Sequence, residues 1–475
     1  MTPHRNPFRR HLCLVLLTSL ALSVFPILAA AQKAAPLTSG ETDISHIRVL
    51  DLETAQRIAL ADNPSFAAAA ARVRQAKARL SQARALYLPR VDINWSAAQV
   101  RMSDSAYQTN LATARVFDPL ATIDDSGDYY TARLTAGWIF FNGFERHFTH
   151  AAARYGAELS QSSRKDIKRL LLSGVSSAYY AAQLGMENIH ISEADEVFNR
   201  RQLLEARARR RVGTGSLSDE LNFEVRVNAA RAQLIQAKQI HRTAMFSLAA
   251  LMGLSDGAFP SQLNLAELEM ERPEEMAPLE VDPHIERARE NRPDIVRSQW
   301  AVKLARSEVG IARSKFLPTL NLSAGMDGDR TGDSDFERGD FGDTLALTVS
   351  YNLFAGGLHH AKLREAKAQR DEAEKKEKDL TIAVNSQVRI AVTRVTSAQD
   401  QLTIQRENAA LVKRNRDLVE KEYKAGQGSL VRLNQAQRDL IGAQSRLALA
   451  LVSLRQAWDD LRTETGQILM SASDS

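Results

Sequence analysis

The sequence predicts a mainly α-helical protein that combines long antiparallel coiled-coil helical hairpins with four membrane β-strands. Three observations support this prediction: one unit occurs twice in the 475-residue chain, a long stretch lacks both glycine and proline, and segments of alternating polarity precede each helical region. Only 13 Pro and 23 Gly are available to separate elements. Long uninterrupted elements are therefore expected.

A secretory signal peptide is predicted for residues 1–31. Three arginines precede an apolar run over residues 12–28, and small residues follow at 29–31, where cleavage is expected. Cys13 is the only cysteine and lies at the front of the apolar run, so a mature chain without disulfide or acyl anchor is expected. The protein is therefore predicted to leave the cytoplasm.

The charge and hydropathy of the remaining chain exclude two classes of protein. The formal net charge of +5 falls to about +2 without the arginines of the signal, so a nucleic-acid partner is not expected. No stretch of roughly 18 apolar residues follows the signal, so no membrane helix is expected. If the chain crosses a membrane, it must use strands.

The repeated unit is visible in two registers. Residues 63–94 match residues 292–323, and in both copies a helix that begins at proline ends in Leu-Pro before an alternating segment. Further along, matching residues recur at constant spacing, and these pairs are Gly143 and Gly356, Gly213 and Gly426, Gly215 and Gly428, Ser216 and Ser429, Leu217 and Leu430, and Gly253 and Gly466. The chain is therefore predicted to be a structural duplication.

The duplication predicts five segments. These are the signal peptide 1–31, a first structural repeat 32–253 (a helix, the β-hairpin 90–141 and the long helical hairpin 144–253), a linker or equatorial segment 254–284, a second structural repeat 285–466 (a helix, the β-hairpin 319–354 and the long helical hairpin 357–466), and a C-terminal tail 467–475.

The long helices are predicted to pair as coiled coils. Residues 362–424 contain no Gly or Pro, and at about 1.5 Å per residue such a helix approaches 95 Å. Its apolar side chains follow heptad spacing from Val384 to Tyr423, which requires a partner helix. Glycine-rich turns at 425–428 and, in the first copy, at 212–215 let the chain double back as an antiparallel hairpin.

Four segments alternate between apolar and polar residues over lengths suited to tilted membrane strands, and they are residues 90–100, 131–141, 319–325 and 344–354. The polar connections 101–130 and 327–343 are expected to be external loops. Four strands cannot close a barrel, and open sheet edges are not tolerated in lipid. Other copies of the chain are therefore expected to supply the missing strands.

Three motifs that could carry chemistry are incomplete in this sequence. Residues 162–165 fit S-x-x-K without its companion motifs, and His147 and His150 lack a third metal ligand at suitable spacing. Residues 327–338 partly match a calcium loop, but Arg338 stands where a bidentate Glu is required. We therefore expect no catalytic residue, no metal site, no cofactor and no enzymatic activity.

Nearly the whole mature chain resembles the TolC-like outer-membrane factor family of outer membrane efflux proteins. The resemblance lies in the duplicated Leu-Pro strand entries, in "FNG" and "YNLFAGG" before the long helices, and in the turns "RRRVGTGSLSDEL" and "KEYKAGQGSLVRL". It implies a homotrimer in which each protomer contributes four strands to a 12-stranded β-barrel and long helices to a periplasmic tunnel.

The resemblance also implies where partners bind. Members of the family dock through their hairpin tips to a periplasmic adaptor, or membrane fusion protein, so the adaptor contacts would be Gly213, Gly215, Ser216, Leu217, Gly426, Gly428, Ser429 and Leu430. The periplasmic constriction would include Asp219, Tyr423, Arg432 and Gln435. Arg432 and Gln435 stand where the family has acids, so a purely acidic ring is not expected. Whatever binds there, a tight turn needs glycine for positive φ angles.

The expected function is that of an outer-membrane channel subunit, a passive exit duct for a tripartite efflux pump or a type I secretion system with an inner-membrane transporter. The expected location is the outer membrane of a Gram-negative bacterium, in contact with its lipid, with a large periplasmic portion. The alternative is a soluble periplasmic coiled-coil adaptor or scaffold, which membrane strands would exclude. The transported substrate and the class of transporter are left open by the sequence.

Overall fold

The structure is a computed structural model that describes residue 44 and residues 46–471. The predicted signal peptide 1–31 and residues 472–475 of the predicted tail lie outside the described residues. The helices are α1 (Leu52–Asp62), α2 (Pro64–Ala85), α3 (Asp104–Phe117), α4 (Glu145–Arg211), α5 (Leu217–Met252), α6 (Asp282–Asn291), α7 (Pro293–Ser314), α8 (Leu358–Lys424), α9 (Leu430–Glu464) and α10 (Ile468–Ser471). The strands are β1 (Val49–Leu50), β2 (Arg90–Arg101), β3 (Ser126–Asn142), β4 (Asn264–Leu265), β5 (Thr319–Thr331) and β6 (Phe341–Ser350), and 3₁₀ turns span Pro273–Met276 and Arg338–Asp340.

Two long helical hairpins make up most of the described chain. α4 and α8 each contain 67 residues, so at about 1.5 Å per residue each helix is about 100 Å long. α5 packs back along α4, α9 packs back along α8, and α4 contacts α9 between the hairpins. The predicted fold class, long helical hairpins combined with four strands, is confirmed.

The heptad positions of the second hairpin form its core. Val388, Val395 and Leu402 of α8 are buried in one apolar cluster with Leu454 and Leu461 of α9. Because apolar side chains recur every three or four residues, each helix has one apolar face along its length. Burial of these faces against each other stabilises the antiparallel pair.

The four long strands form one antiparallel sheet in the order β2-β3-β5-β6. The β-hairpin formed by β2 and β3 is thus joined to the β-hairpin formed by β5 and β6 through the β3–β5 pair. The register of β3 on β5 shifts between Ile139 and Phe141, close to the start of α4. β2 and β6 are the edges of the sheet within the described chain.

The sheet has one apolar and one polar face. Val91, Ala136, Ala324 and Leu345 are partners across all four strands and form an apolar row. The next residues along each strand are partners in turn, and they are Asp92, Thr135, Gly325 and Thr344. Successive side chains of a strand point to opposite faces, so this alternation separates the two surfaces.

Four strand boundaries differ from the predictions by more than one residue. β3 begins at Ser126 instead of 131, and β5 continues to Thr331 instead of ending at 325. β6 spans Phe341–Ser350, so it begins before the predicted residue 344 and ends before residues 351–354. Glycine and aspartate suggested loops in the stretches by which the strands are longer than predicted. Pairing with a neighbouring strand satisfies their backbone groups, which keeps them extended.

The predicted external loop 101–130 contains a helix. α3 begins after Ser103, whose hydroxyl accepts a hydrogen bond from the Ala106 amide at 3.4 Å. Leu111 is the buried side chain of this helix. Ser and Asp are typical of both turns and helix N-termini, so the sequence pattern alone did not separate the two. The expectation that this whole connection is a loop is wrong.

The predicted linker 254–284 contains regular structure. Its strand β4 pairs in parallel with β1, and Leu50 and Leu265 lie in an apolar cluster with Leu248 of α5. The last residues of the linker already belong to α6, which begins at Asp282.

In the part of the chain that the structure describes, no helix is both long and apolar enough to cross a membrane.

Candidate functional site

The two hairpin tips, which sequence analysis selected as the functional site, have the same turn. The first tip is residues 212–216 and the second tip is residues 425–429. Gly213 and Gly426 have φ angles of +78° and +75°, a left-handed conformation that favours glycine. The amide of Gly213 donates to Arg210 O at 3.0 Å, and that of Gly426 donates to Tyr423 O at 3.1 Å. These bonds close the last helical turn of α4 and α8.

The second glycine of each tip is required for a different reason. A Cβ on Gly215 would lie 2.9 Å from the Arg210 amide nitrogen, and a Cβ on Gly428 would lie 3.0 Å from the Tyr423 amide nitrogen. Both contacts are with backbone, which cannot move aside without distorting the helix end. Of the two predicted glycines in each tip, one therefore supplies a positive φ and the other a close approach.

Ser216 and Ser429 begin the returning helices. The Ser216 hydroxyl accepts from the Asp219 amide at 3.0 Å, and the Ser429 hydroxyl accepts from the Arg432 amide at 3.3 Å. Each serine is thus the N-cap of its helix, which satisfies one amide that has no partner within the helix. Leu217 is half exposed, whereas Leu430 packs against buried side chains.

An apolar cluster, called the tip cluster below, joins the two hairpins. Its buried side chains come from α4, α5, α8 and α9, and they are Phe198, Leu203, Ala206, Phe223, Val227, Val419, Leu433 and Ala436. Phe223 is fully buried, with its ring centre 6.5 Å from that of Tyr423. The structure therefore brings the tip ends of both hairpins together in one core.

Polar contacts also cross between the hairpins. Arg201 of α4 lies 2.8 Å from Glu420 of α8, and Asn434 of α9 donates to Asn222 of α5 at 2.9 Å. Burial raises the pKa of Glu420, but its hydrogen bond with Lys424 and nearby arginines outweigh burial and lower it. Glu420 therefore stays ionised and keeps its bond to the other hairpin.

One of the predicted constriction residues, Tyr423, lies between the hairpins. Tyr423 of α8 faces Phe223, and the Arg209 guanidinium lies 5.0 Å from the centre of its ring. Burial raises the pKa of Tyr423, the charges of Asp219 and Glu205 raise it further, and Arg209 opposes them. Asp219 lies in the first turn of α5, where the Ser216 hydroxyl caps its amide.

The other two predicted constriction residues bond within the second hairpin. Arg432 Nη1 lies 2.9 Å from Glu422 Oε2 of α8. Gln435 Nε2 donates to Asp439 Oδ1 at 2.8 Å, within α9. Arg432 and Gln435 thus pair within the second hairpin, whereas Tyr423 contacts the first hairpin. The constriction and adaptor roles of these residues stay predictions.

Sequence reasoning missed several residues that join the hairpins. These include Phe223, Glu420 and the buried pair Asp195 and Gln437. Asp195 and Gln437 are far apart in the sequence, and polar residues on long helices usually face solvent. Each lies on a buried helix face that carries other polar side chains as well, including Asn199 and Asn434, so no local pattern marks the pair.

Metal binding finds no support in the described chain. Among the described residues, no group of three or more His, Cys, Asp or Glu could hold a metal ion. In the calcium-like stretch 327–338, Arg330 lies 2.5 Å from Asp333 and 3.0 Å from Asp340. Arg330 thus pairs with one carboxylate of this stretch and with one of the following 3₁₀ turn.

Comparison with known proteins gives a consistent picture. The family model described as outer membrane efflux protein matches residues 56–254 and 284–467. The chain is 26% identical over 455 residues to the pyoverdine export outer membrane protein OpmQ of Pseudomonas aeruginosa, covering 90% of this chain and 88% of that protein. It is 25% identical over 425 residues to the alkaline protease secretion protein AprF of the same species, covering 88% and 84%.

A solved structure shares the fold. The Campylobacter jejuni CmeC outer membrane channel matches with a TM-score of 0.73 and 19% identity, over 87% of this chain and 85% of that one. At this identity the likeness concerns the fold alone.

Proposed function

The chain belongs to the outer membrane efflux protein family, and from this membership we propose that it forms the outer-membrane exit duct of a three-part transport system. The observation that carries the proposal is the combination of a two-faced sheet with helical hairpins about 100 Å long. A sheet of this kind suits lipid on one side and water on the other. The hairpins suit a passage that extends far from the membrane.

The sheet is proposed to cross the outer membrane as part of a trimer. The 12 residues of β2 span about 40 Å at about 3.3 Å per residue, enough to cross the apolar band of a bilayer when tilted. The apolar face, with Ile93 81% exposed and Leu345 76% exposed in one protomer, would face lipid. β2 and β6 have unpaired edges in the described chain, and pairing β6 with β2 of the next copy closes twelve strands around a polar lumen.

The helical hairpins are proposed to form the periplasmic tunnel, with the tips at its far end. The tips would contact a periplasmic adaptor bound to an inner-membrane transporter, through the residues named above. Exposed apolar side chains lie in the first tip, at Val212, and just beyond the second tip, at Val431. The chain is proposed to be a passive duct without enzymatic activity, since its family consists of channel proteins.

The cargo is proposed to be chosen by the transporter and not by the duct. OpmQ is named for export of pyoverdine and AprF for secretion of a protease, although both resemble this chain over most of its length. One duct architecture therefore serves both small-molecule efflux and protein secretion, and this chain fits either.

Paired substitutions on one edge strand test the membrane assignment. Leu347 and Thr348 are neighbours on β6 and point to opposite faces. We expect Leu347→Arg to destabilise the inserted sheet by about 2–4 kcal/mol, because it places a charge in lipid. Thr348→Arg, on the polar face, is the matched control and should be tolerated.

The measurement is outer-membrane fractionation, heat-sensitive trimers on gels and conductance in planar bilayers. The wild type and Thr348→Arg should give trimers and channels, and Leu347→Arg should reduce both. Recovery of the wild type as a soluble periplasmic monomer would reject the duct and support the adaptor or scaffold alternative.

A further inference from the structure

Asp195 and Gln437 form a buried polar contact between the two hairpins. Asp195 lies on α4 and Gln437 on α9, and their side chains are 9% and 6% exposed. Gln437 Nε2 donates a hydrogen bond to Asp195 Oδ1 at 2.7 Å. A second amide, Asn199 Nδ2, donates to the Asp195 backbone oxygen at 2.9 Å. This contact lies above the tip cluster and belongs to neither tip.

The amide oxygen of Gln437 accepts no hydrogen bond from the residues that the structure describes. Gln437 Oε1 is buried and unpaired, although the same side chain donates through its nitrogen. An ionised carboxylate only accepts hydrogen bonds, so ionised Asp195 cannot satisfy this oxygen. A protonated carboxyl can, because its O–H donates. When the Gln437 amide turns so that its Nε2 and its Oε1 both face the Asp195 carboxyl group, the two groups form a cyclic pair with two hydrogen bonds.

Several groups around Asp195 shift the pKa of its carboxyl group. Burial raises its pKa, and the bonds from Gln437 and Asn199 and the charge of Arg226 on α5 oppose this only in part. On α9, Asn434 and Arg438 line the same cavity of about 350 Å³ beside Asp195. The cavity gives protons from solvent a route to the carboxyl group.

The other charged group near Asp195 on its own helix is Glu196. It points away to Arg200 and Arg231, at 2.5 and 3.0 Å, so its charge is already balanced. Arg226 is therefore the charged group that favours the ionised form, while desolvation opposes it more strongly. The raised pKa follows from packing α4 against α9, and separation of the hairpins would remove it.

The direction of the pH effect follows from the difference in the pKa of Asp195 between packed and separated hairpins. Asp195 has a higher pKa when the hairpins are packed together than when they are apart, so proton binding favours the packed state. This gain in the stability of the packed state is fully present when the pH is below the pKa that Asp195 has with the hairpins apart. It is lost as the pH rises through the pKa of the packed state.

We propose that Asp195 is a positioning residue that holds the two hairpins together through a protonated acid–amide contact with Gln437 and loosens them when it ionises. Acid would thereby tighten the periplasmic end of the duct. The expected effect on conductance rests on the proposed function. The contact between the hairpins does not depend on it.

Conductance of the full-length channel across pH 5–8 tests the effect on the mouth. In the wild type, conductance should fall as the pH is lowered. Asp195→Asn replaces the acid by an amide that both donates and accepts at every pH, so it should hold conductance at the acid level and abolish the pH dependence. Asp400→Asn, an exposed carboxylate on α8, is the matched control and should behave as the wild type.

Gln437→Glu should shift the pH dependence of conductance, whereas Asp195→Asn should abolish it. Two carboxyl groups facing each other share a proton, so the pH midpoint of conductance should move up by about one unit or more. A wild-type pH profile in both Asp195→Asn and Gln437→Glu would overturn the proposal.

Spin-label distances measure the hairpins without relying on conductance. Arg211→Cys on α4 and Lys421→Cys on α8 place labels on exposed sites at the two hairpin ends of the mature chain, which is expected to have no other cysteine. The distance between labels should be longer at pH 8 than at pH 5, and Asp195→Asn should keep the short distance at both. Distances that change equally with pH in wild type and Asp195→Asn would overturn the proposal. Absence of conductance in the wild type would instead reject the duct, and the label distances would still decide the role of Asp195.

Discussion

The first and second tips reverse the chain with the same backbone but with opposite charges. In both, a glycine near φ +75° is followed by a second glycine in close contact with the preceding helix, and then by a serine N-cap. The side chains that bridge the two helices differ. The equivalent positions Asp219 and Arg432 carry opposite charges.

The ion pair across each tip is inverted. In the first tip, Arg210 of the incoming helix lies 2.8 Å from Glu220 of the returning helix. In the second tip the acid, Glu422, is on the incoming helix and the cation, Arg432, is on the returning helix. The hydrogen bond from Arg210 lowers the pKa of Glu220. Both hairpins therefore have a bridge, with reversed polarity.

This difference shows which features a tip requires. The turn conformation, the glycine contact and the N-cap are set by backbone geometry, and they are the same in both copies. The charges lie on the surface, where either polarity bridges the helices with little energetic consequence. The charge pattern is therefore free to differ where a tip meets a partner or lines a passage.

The largest expected difference between the tips lies in their apolar contacts. Phe223 of the first hairpin is fully buried in the tip cluster, and its counterpart in the second hairpin is the small residue Ala436. Phe223→Ala should destabilise the packing of the two hairpins by about 3–5 kcal/mol, because it leaves a cavity. Hydrogen exchange of the α5 and α9 amides near the tips measures this local loss.

The control for this prediction is Phe246→Ala on the same helix. Its side chain is 49% exposed, so its replacement should leave exchange at the tips unchanged. Equal effects of the two substitutions would mean that the tip cluster does not hold the hairpins together. In that case the polar contacts would have to provide most of the stability of the junction.

A smaller effect, equal in both tips, is expected from the close-contact glycines. Gly215→Ala and Gly428→Ala should each destabilise their turn by about 1–3 kcal/mol, since the added methyl group meets backbone. Gly442→Ala inside α9 is the control. Its methyl group would meet only the flexible end of Arg446 at 3.2 Å, and alanine favours a helix.

Thermal unfolding of each purified full-length variant, together with hydrogen exchange of the amides in the turns, measures these changes. Similar losses for Gly215→Ala and Gly428→Ala would support a shared backbone requirement. A loss at only one tip would show that the duplicated turns have diverged in structure as well as in charge.

The sequence predicts the backbone of this site better than its side-chain contacts. Heptad spacing and glycine-rich turns depend on neighbouring residues, and they predicted α8, α9 and both tips correctly. The bonds Asp195–Gln437 and Arg201–Glu420 join distant segments, so no local pattern identifies them. The helix α3 was missed for another reason, because its capping residues resemble those of a loop.

The smallest effect on stability, but a direct effect on ions, is expected from exchanging the charge at the second tip. Arg432→Asp would give α9 the acid that α5 has at the equivalent position. The loss of the pair with Glu422 is worth about 0.2–1 kcal/mol, because both side chains are exposed. An acid near the helix N-terminus recovers part of this loss, since it interacts favourably with the helix dipole.

The consequence for the duct follows from symmetry. In the proposed trimer, Arg432→Asp adds three negative charges and removes three positive charges at the proposed periplasmic end, so it should shift the bilayer reversal potential toward cation selectivity. The double variant Glu422→Arg with Arg432→Asp restores a bridge in the polarity of the first tip and cancels the net change in charge at this tip. It should therefore regain stability and show a smaller shift than the single variant. Unchanged reversal potentials in both variants would place Arg432 away from the ion path, and the inverted charges of the two tips would then concern the adaptor alone.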